Sequence, residues 1–292
     1  MPETNTSNNN TSNNMTSDKE QPEIESTKSL KRRRGIYLLP NLFTTAALFC
    51  GYYAIVSAMQ GRFESAAIAI FVAMILDGLD GRVARLTNTQ SDFGAQYDSL
   101  ADLASFGIAP SLVIYQWALS DLGRLGWLAA FIYTASAALR LARFNTQVGT
   151  ADKNYFQGLA SPAAAAIIAG LVWVGNDYFE PGRVINIISL VLTAGIGLLM
   201  VSNFRYHSFK GIDLRGKVPF ITMLVFVLVI VLVTYDPPVV LFVVFFGYAL
   251  SGPVMTLVQL RARRAERKKM HSSENLDTPD NAENPKNPDV PE

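Results

Sequence analysis

The residues of this chain best placed to do chemistry are aspartates. Asp77 and Asp80 fall in the run Asp77-Gly78-Leu79-Asp80-Gly81-Arg82-Val83-Ala84-Arg85, and Asp98 and Asp102 follow Gly94. Their flanks are apolar runs long enough to span a bilayer. An ionised carboxylate there is costly, so a functional reading is the default. At about 100° per residue, Asp77, Asp80, Gly81 and Ala84 share one helix face. Gly94, Asp98, Ala101, Asp102 and Ser105 share a face of the next helix. Set opposite each other, these faces put four carboxylates around one point, where their repulsion calls for cations. Hard oxygen donors without His or Cys select Mg²⁺ or Mn²⁺. Gly78, Gly81, Ala84 and Gly94 leave room for a ligand or a close helix. Arg85 sets a fixed cation beside that room, suited to a phosphate.

The pattern D-x2-D-G-x2-A-R-x8-G-x3-D-x3-D resembles the signature of the CDP-alcohol phosphatidyltransferases. Every fixed position is present: Asp77, Asp80, Gly81, Ala84, Arg85, Gly94, Asp98 and Asp102. Flanking stretches are similar to the integral-membrane branch of that family that uses serine as acceptor. They are Leu39-Pro40-Asn41-Leu42-Phe43-Thr44, Tyr97 to Pro110, Ala138 to Asn145, Phe156 to Ala164 and Val201 to Tyr206, with Ala160 a departure where relatives commonly carry proline. The resemblance implies transfer of the phosphatidyl group of CDP-diacylglycerol to L-serine, giving phosphatidylserine and CMP. It implies two divalent ions, with Asp77, Asp80 and Asp98 as ligands and Asp102 as general base and further ligand. It also implies a CDP site at Gly81, Ala84, Arg85 and Gly94, and a homodimer.

Serine needs a partner for its carboxylate. Arg140 and Arg143, near the inner end of helix four, could hold it, with Asn145 adding a polar contact; the plainer reading is that these arginines mark the inside end of the helix. His207 and His271 lack ligand partners in sequence, and Asp92 and Asp121 read as loop charges.

The elements that position these residues are apolar segments. The chain has 292 residues, half of them hydrophobic, and a net charge of +1. Its mean hydropathy of +0.21 excludes a disordered protein and argues against an ordinary soluble domain. Segments run from about Leu38 to Ala58, Ser65 to Arg85, Gly94 to Ala118, Leu125 to Arg143, Ser161 to Val174, Val184 to Val201, Val218 to Tyr235 and Val239 to Val258. Most approach the ~20 residues that a spanning helix needs. The expected fold is therefore all-α, a polytopic membrane bundle of about eight helices, six forming the core that the resemblance implies and two C-terminal.

Residues 1–34 read as a disordered tail ending in the basic cluster Lys31-Arg32-Arg33-Arg34, 35–260 as the membrane domain, and 261–292 as a basic, then disordered, tail. Basic loops alternate with loops poor in Lys and Arg, which places both termini and the aspartates on the cytoplasmic side of a cell membrane. Lys31 to Arg34 is a topology signal touching anionic lipid, so membrane lipid is the expected partner and nucleic acid is not. Cys50, the single cysteine, reads as a packed thiol. Two alternatives stand: a sister enzyme with another alcohol such as glycerol 3-phosphate, and a divalent-cation or proton transporter, since intramembrane acids also mark ion pathways.

Overall fold

The computed structural model describes residues 23–87, 89–147, 155–179, 182–207 and 220–274. Among them are eight helical runs: α1 (Glu23–Met59), α2 (Phe63–Thr87), α3 (Asp92–Leu122), α4 (Arg124–Gln147), α5 (Ser161–Tyr178), α6 (Arg183–Val201), α7 (Phe220–Tyr235) and α8 (Pro237–Glu274). Each contains most of one apolar segment expected from sequence. Five stretches are long and apolar enough to cross a membrane: Pro40–Met59, Asp92–Leu122, Arg124–Thr146, Arg183–Val201 and Pro237–Thr256. The other three helices have visible reasons for falling short. α2 carries Asp77, Asp80, Arg82 and Arg85, α5 ends in Asn176 and Asp177, and α7 has 16 residues. The protein is an all-α polytopic membrane bundle.

Two features differ from expectation. α1 begins at Glu23, inside the stretch read as a tail, because Glu23 to Arg34 is rich in good helix formers that continue into the apolar run. Residues 1–22 and 275–292 lie outside the described set. A short antiparallel ladder also pairs β1 (Tyr155–Gln157) with β2 (Arg205–His207).

The core is built from small residues. Ala66, Ala67, Ala69 and Ala73 on α2 are buried, as are Ala163 to Ala166 and Ala169 on α5. Short side chains let backbones approach closely, which is how helices associate where lipid removes the usual hydrophobic drive. α1 packs on α2, α2 on α5, α4 on α6 and α5 on α8. Where α5 meets α8, a Cβ on Gly170 would lie 3.1 Å from Phe242 Cα; where α6 meets α4, one on Gly197 would lie 3.0 Å from Tyr133 Cα. α6 shows the converse face, with Val184, Ile187, Ile188, Val191 and Leu198 exposed. Trp117 and Trp173 pack against the core, whereas Trp127 is exposed.

α3 is not uniform. It is α-helical over Asp92–Asp102, takes a π turn over Leu103–Ile108, resumes as α-helix over Ala109–Ile114 and turns π again over Tyr115–Leu119. Pro110 sits at the start of the resumed helix, where its missing N–H costs little.

Polar contacts define the two ends of the bundle. At one end lie the bonds Thr44–Asp80, Ser99–Asn145, Arg140–Ser161 and Arg143–Asn203. At the other, Tyr178 Oη donates to Asp236 at 2.7 Å and Asn186 Nδ2 to Asp121 at 3.4 Å.

Candidate active site

The acidic cluster forms where the C-terminal half of α2 faces the first turns of α3. Ser91 caps α3, its hydroxyl accepting from the Gly94 N–H at 3.1 Å, and this fixes where the helix starts. From that start, Asp98 and Asp102 fall one turn apart on the side facing α2. Carboxylate oxygens of Asp77, Asp98 and Asp102 all lie within 4.8 Å of one another. Asp77 and Asp102 lie close enough to act on each other electrostatically. Asp98 Oδ1 is buried with no hydrogen-bond partner. Asp80 lies outside that trio but close enough to Asp98 to act on it electrostatically; it is buried, and its Oδ2 accepts from the Thr44 hydroxyl at 2.7 Å.

Beside the acids opens a cavity of about 480 Å³. Gly81, Ala84, Arg85 and Gly94 line it together with Asp80 and Asp98. A Cβ on Gly81 would meet nothing within 4 Å, so this glycine opens directly onto free space. One on Gly94 would lie 3.1 Å from Ser91 Oγ and 3.4 Å from Asn41 Oδ1, so this wall is tight. The Arg85 Nε donates to Gly81 O at 2.9 Å, which lays the guanidinium along α2 at the cavity edge. Lining residues absent from the sequence-derived set include Pro40, Asn41, Thr44, Thr89, Gln90, Ser91 and Ala95. Asp92, read from sequence as a loop charge, stands in the first turn of α3 on the cavity wall.

Arg140, Arg143 and Asn145, the residues considered for serine, each have a separate protein partner. Arg140 Nη1 donates to Ser161 at 2.6 Å, and its Nε is buried without a partner. Asp102 and Tyr248 both act electrostatically on this guanidinium. Arg143 instead reaches Asn203 at 3.4 Å, and Asn145 Nδ2 donates to Ser99 at 3.0 Å. Asn145 thus braces α3 beside Asp98. His207 falls on β2.

The donor set tests well against a divalent cation. It is all carboxylate oxygen, it has no nitrogen or sulfur donors, and one buried oxygen has its bonding capacity unused.

Comparison with known proteins bears on the whole arrangement. Residues 37–201 match the family model described as CDP-alcohol phosphatidyltransferase. A CDP-diacylglycerol–serine O-phosphatidyltransferase of Helicobacter pylori is 43% identical over 192 residues, which is 65% of this chain and 80% of that relative. The enzyme so named from Bacillus subtilis is 35% identical over 172 residues, 59% of this chain and 91% of its own length. The one from Mycobacterium tuberculosis is 40% identical over 156 residues, 51% of this chain and 54% of the relative. The matched region takes in α1 from residue 37 and helices α2 to α6, with the aspartates and the cavity, and the chain belongs to the CDP-alcohol phosphatidyltransferase family.

Proposed function

We propose that this protein transfers the phosphatidyl group of CDP-diacylglycerol to L-serine, releasing CMP. The observation that carries the reading is the convergence of Asp77, Asp98 and Asp102 within 4.8 Å beside the cavity lined by Gly81, Ala84, Arg85 and Gly94. Similarity to relatives named as serine O-phosphatidyltransferases supports the choice of acceptor.

The chemistry is an in-line exchange at phosphorus. The serine hydroxyl oxygen bonds to the phosphorus that carries diacylglycerol, and the bond from that phosphorus to CMP breaks. Asp77, Asp80, Asp98 and Asp102 would hold Mg²⁺ or Mn²⁺, two ions by family resemblance, which when bound neutralise the diphosphate and stabilise leaving CMP. Gly81 and Ala84 leave the cavity wall bare for the nucleotide, and Arg85 offers its guanidinium to the diphosphate. Asp102 takes the hydroxyl proton as the new bond forms. Reactions of this kind depend on positioning and charge more than on covalent help from the protein.

The proposed orientation places the acidic end in the cytoplasm, with both termini inside. The basic residues Arg82, Arg85, Arg140 and Arg143 cluster toward the end that holds Asp80, as cytoplasmic loops do. There a water-soluble nucleotide reaches the site while the acyl chains stay in lipid. The proposed assembly is a homodimer.

An acceptor screen tests the assignment. Purified protein with Mg²⁺ or Mn²⁺ and radiolabelled CDP-diacylglycerol should release CMP when serine is added. Release with glycerol 3-phosphate and none with serine would reassign the acceptor. Cation flux in vesicles without CMP release would replace the enzyme by a transporter.

A further inference from the structure

Asp80 lies outside the trio of Asp77, Asp98 and Asp102 but lines the cavity with Asp98, and the hydroxyl bonded to it comes from a different helix. Thr44 on α1 is 4% exposed and Asp80 on α2 is 5% exposed. The Thr44 Oγ1 lies 2.7 Å from Asp80 Oδ2 and 3.2 Å from the Pro40 carbonyl one turn back on α1. A hydroxyl has one proton. The shorter contact to an acceptor-only carboxylate takes it, since bonds to charged acceptors are the stronger ones. The Pro40 carbonyl is then a near neighbour of the hydroxyl oxygen and not its acceptor. Pro40, Thr44, Asp80 and Asp98 all line the same cavity. The bond from Thr44 therefore ties the direction of the Asp80 carboxylate in that cavity to α1.

We propose that Thr44 is a positioning residue: its hydroxyl orients the Asp80 carboxylate for the divalent cation that the acidic site holds. This rests on the reading of the acids as a cation site and is independent of which alcohol is the acceptor.

The test is Mn²⁺ binding to the purified full-length protein in detergent, followed by the electron paramagnetic resonance signal of free Mn²⁺, with neither nucleotide nor alcohol present. Thr44→Val keeps the shape and removes the donor; it should weaken Mn²⁺ affinity about ten-fold, the scale of a hydrogen bond to a charged group. Thr44→Ser keeps the donor and should stay within about two-fold of the native protein. In an Asp80→Asn background, Thr44→Val should add no further loss, because the two act as one unit.

The proposal is overturned if Thr44→Val binds Mn²⁺ as tightly as the native chain, if Thr44→Ser loses as much as Thr44→Val, or if the two substitutions lose affinity additively. A lower metal-free melting temperature in Thr44→Val with unchanged Mn²⁺ affinity also overturns it, leaving Thr44 a packing residue. Failure of the native protein itself to bind Mn²⁺ brings down the cation reading instead, and Thr44's role with it.

Discussion

Asp98 is held by its neighbours in sequence. The Tyr97 hydroxyl lies 2.9 Å from Thr45 Oγ1 on α1, and Ser99 bonds Asn145 on α4. Its position therefore does not depend on its own charge. Asp98→Asn keeps the size and both braces, so the variant should insert in membranes with a near-native melting temperature. Turnover should fall roughly a thousand-fold or more, because a ligand to catalytic cations supplies several kcal/mol of charge stabilisation. CMP release at saturating serine measures this, and near-native release would contradict the proposed metal role. At this scale the sequence was legible where spacing along one helix carries the information, as for Asp77, Asp98 and Asp102. Thr44 and Asn41 were not legible as cavity residues, because their role depends on how α1 lies against α2 and α3. The bond from Asn145 to Ser99 was not legible either, because it depends on how α4 lies against α3. Asp92 could have been placed better, since Ser91 three residues before Gly94 is a readable helix cap.

The segments of apolar sequence translate directly into helices, since a bilayer-length apolar run has few other ways to satisfy its backbone. The π turn at Leu103–Ile108 and the three-residue strands were not legible. A π turn leaves no composition mark, and three residues are too few to show a period of two. The π turn matters because it lies immediately after Asp102 and contains Ser105, which packs directly on α1. The Ser105 hydroxyl donates to Ala47 O at 3.1 Å. A Cβ on Gly51 would come within 2.7 Å of Ser105 Oγ and 2.8 Å of its Cα. The second of these is backbone, so relief requires the helices to part. Gly51→Ala should cost about 1–3 kcal/mol, as overpacking does, and should lower activity because α3 carries Asp98 and Asp102. Gly195→Ala on α6 is the matched control: nothing lies within 4 Å of its added Cβ. Its melting temperature in detergent should equal or exceed that of the native protein, since alanine is the better helix former. Equal melting temperatures for the two variants would show that α1 and α3 have slack at this crossing.

At the scale of the whole molecule, the family match stops at residue 201 while the bundle continues through α7 and α8. Besides the packing of α5 on α8, these parts meet at Tyr206 on β2. It is fully buried, its hydroxyl donates to Ala249 O at 3.0 Å, and its ring lies 5.5 Å from that of Tyr248. Gly252 gives the ring its place: a Cβ there would fall 2.4 Å from the Tyr206 Cζ. The ladder with β1 anchors the strand, and the Gly158 N–H donates to Phe204 O at 2.9 Å just beside it. Tyr206 therefore helps fasten α8 to the family core, and α8 carries Tyr248, which bears on Arg140, as Asp102 does. Removing the ring should loosen α8 and disturb Arg140 at a distance, although Tyr206 does not line the cavity. Tyr206→Ala is expected to cost about 3–5 kcal/mol, as loss of a buried aromatic does, and to reduce CMP release. Tyr206→Phe keeps the ring and loses one hydrogen bond, so it should cost about 1 kcal/mol and leave activity close to native. Melting temperature in detergent and CMP release, measured on both variants, decide the matter. If Tyr206→Ala melts early yet retains native turnover, the C-terminal helices stabilise the bundle without bearing on the acidic site.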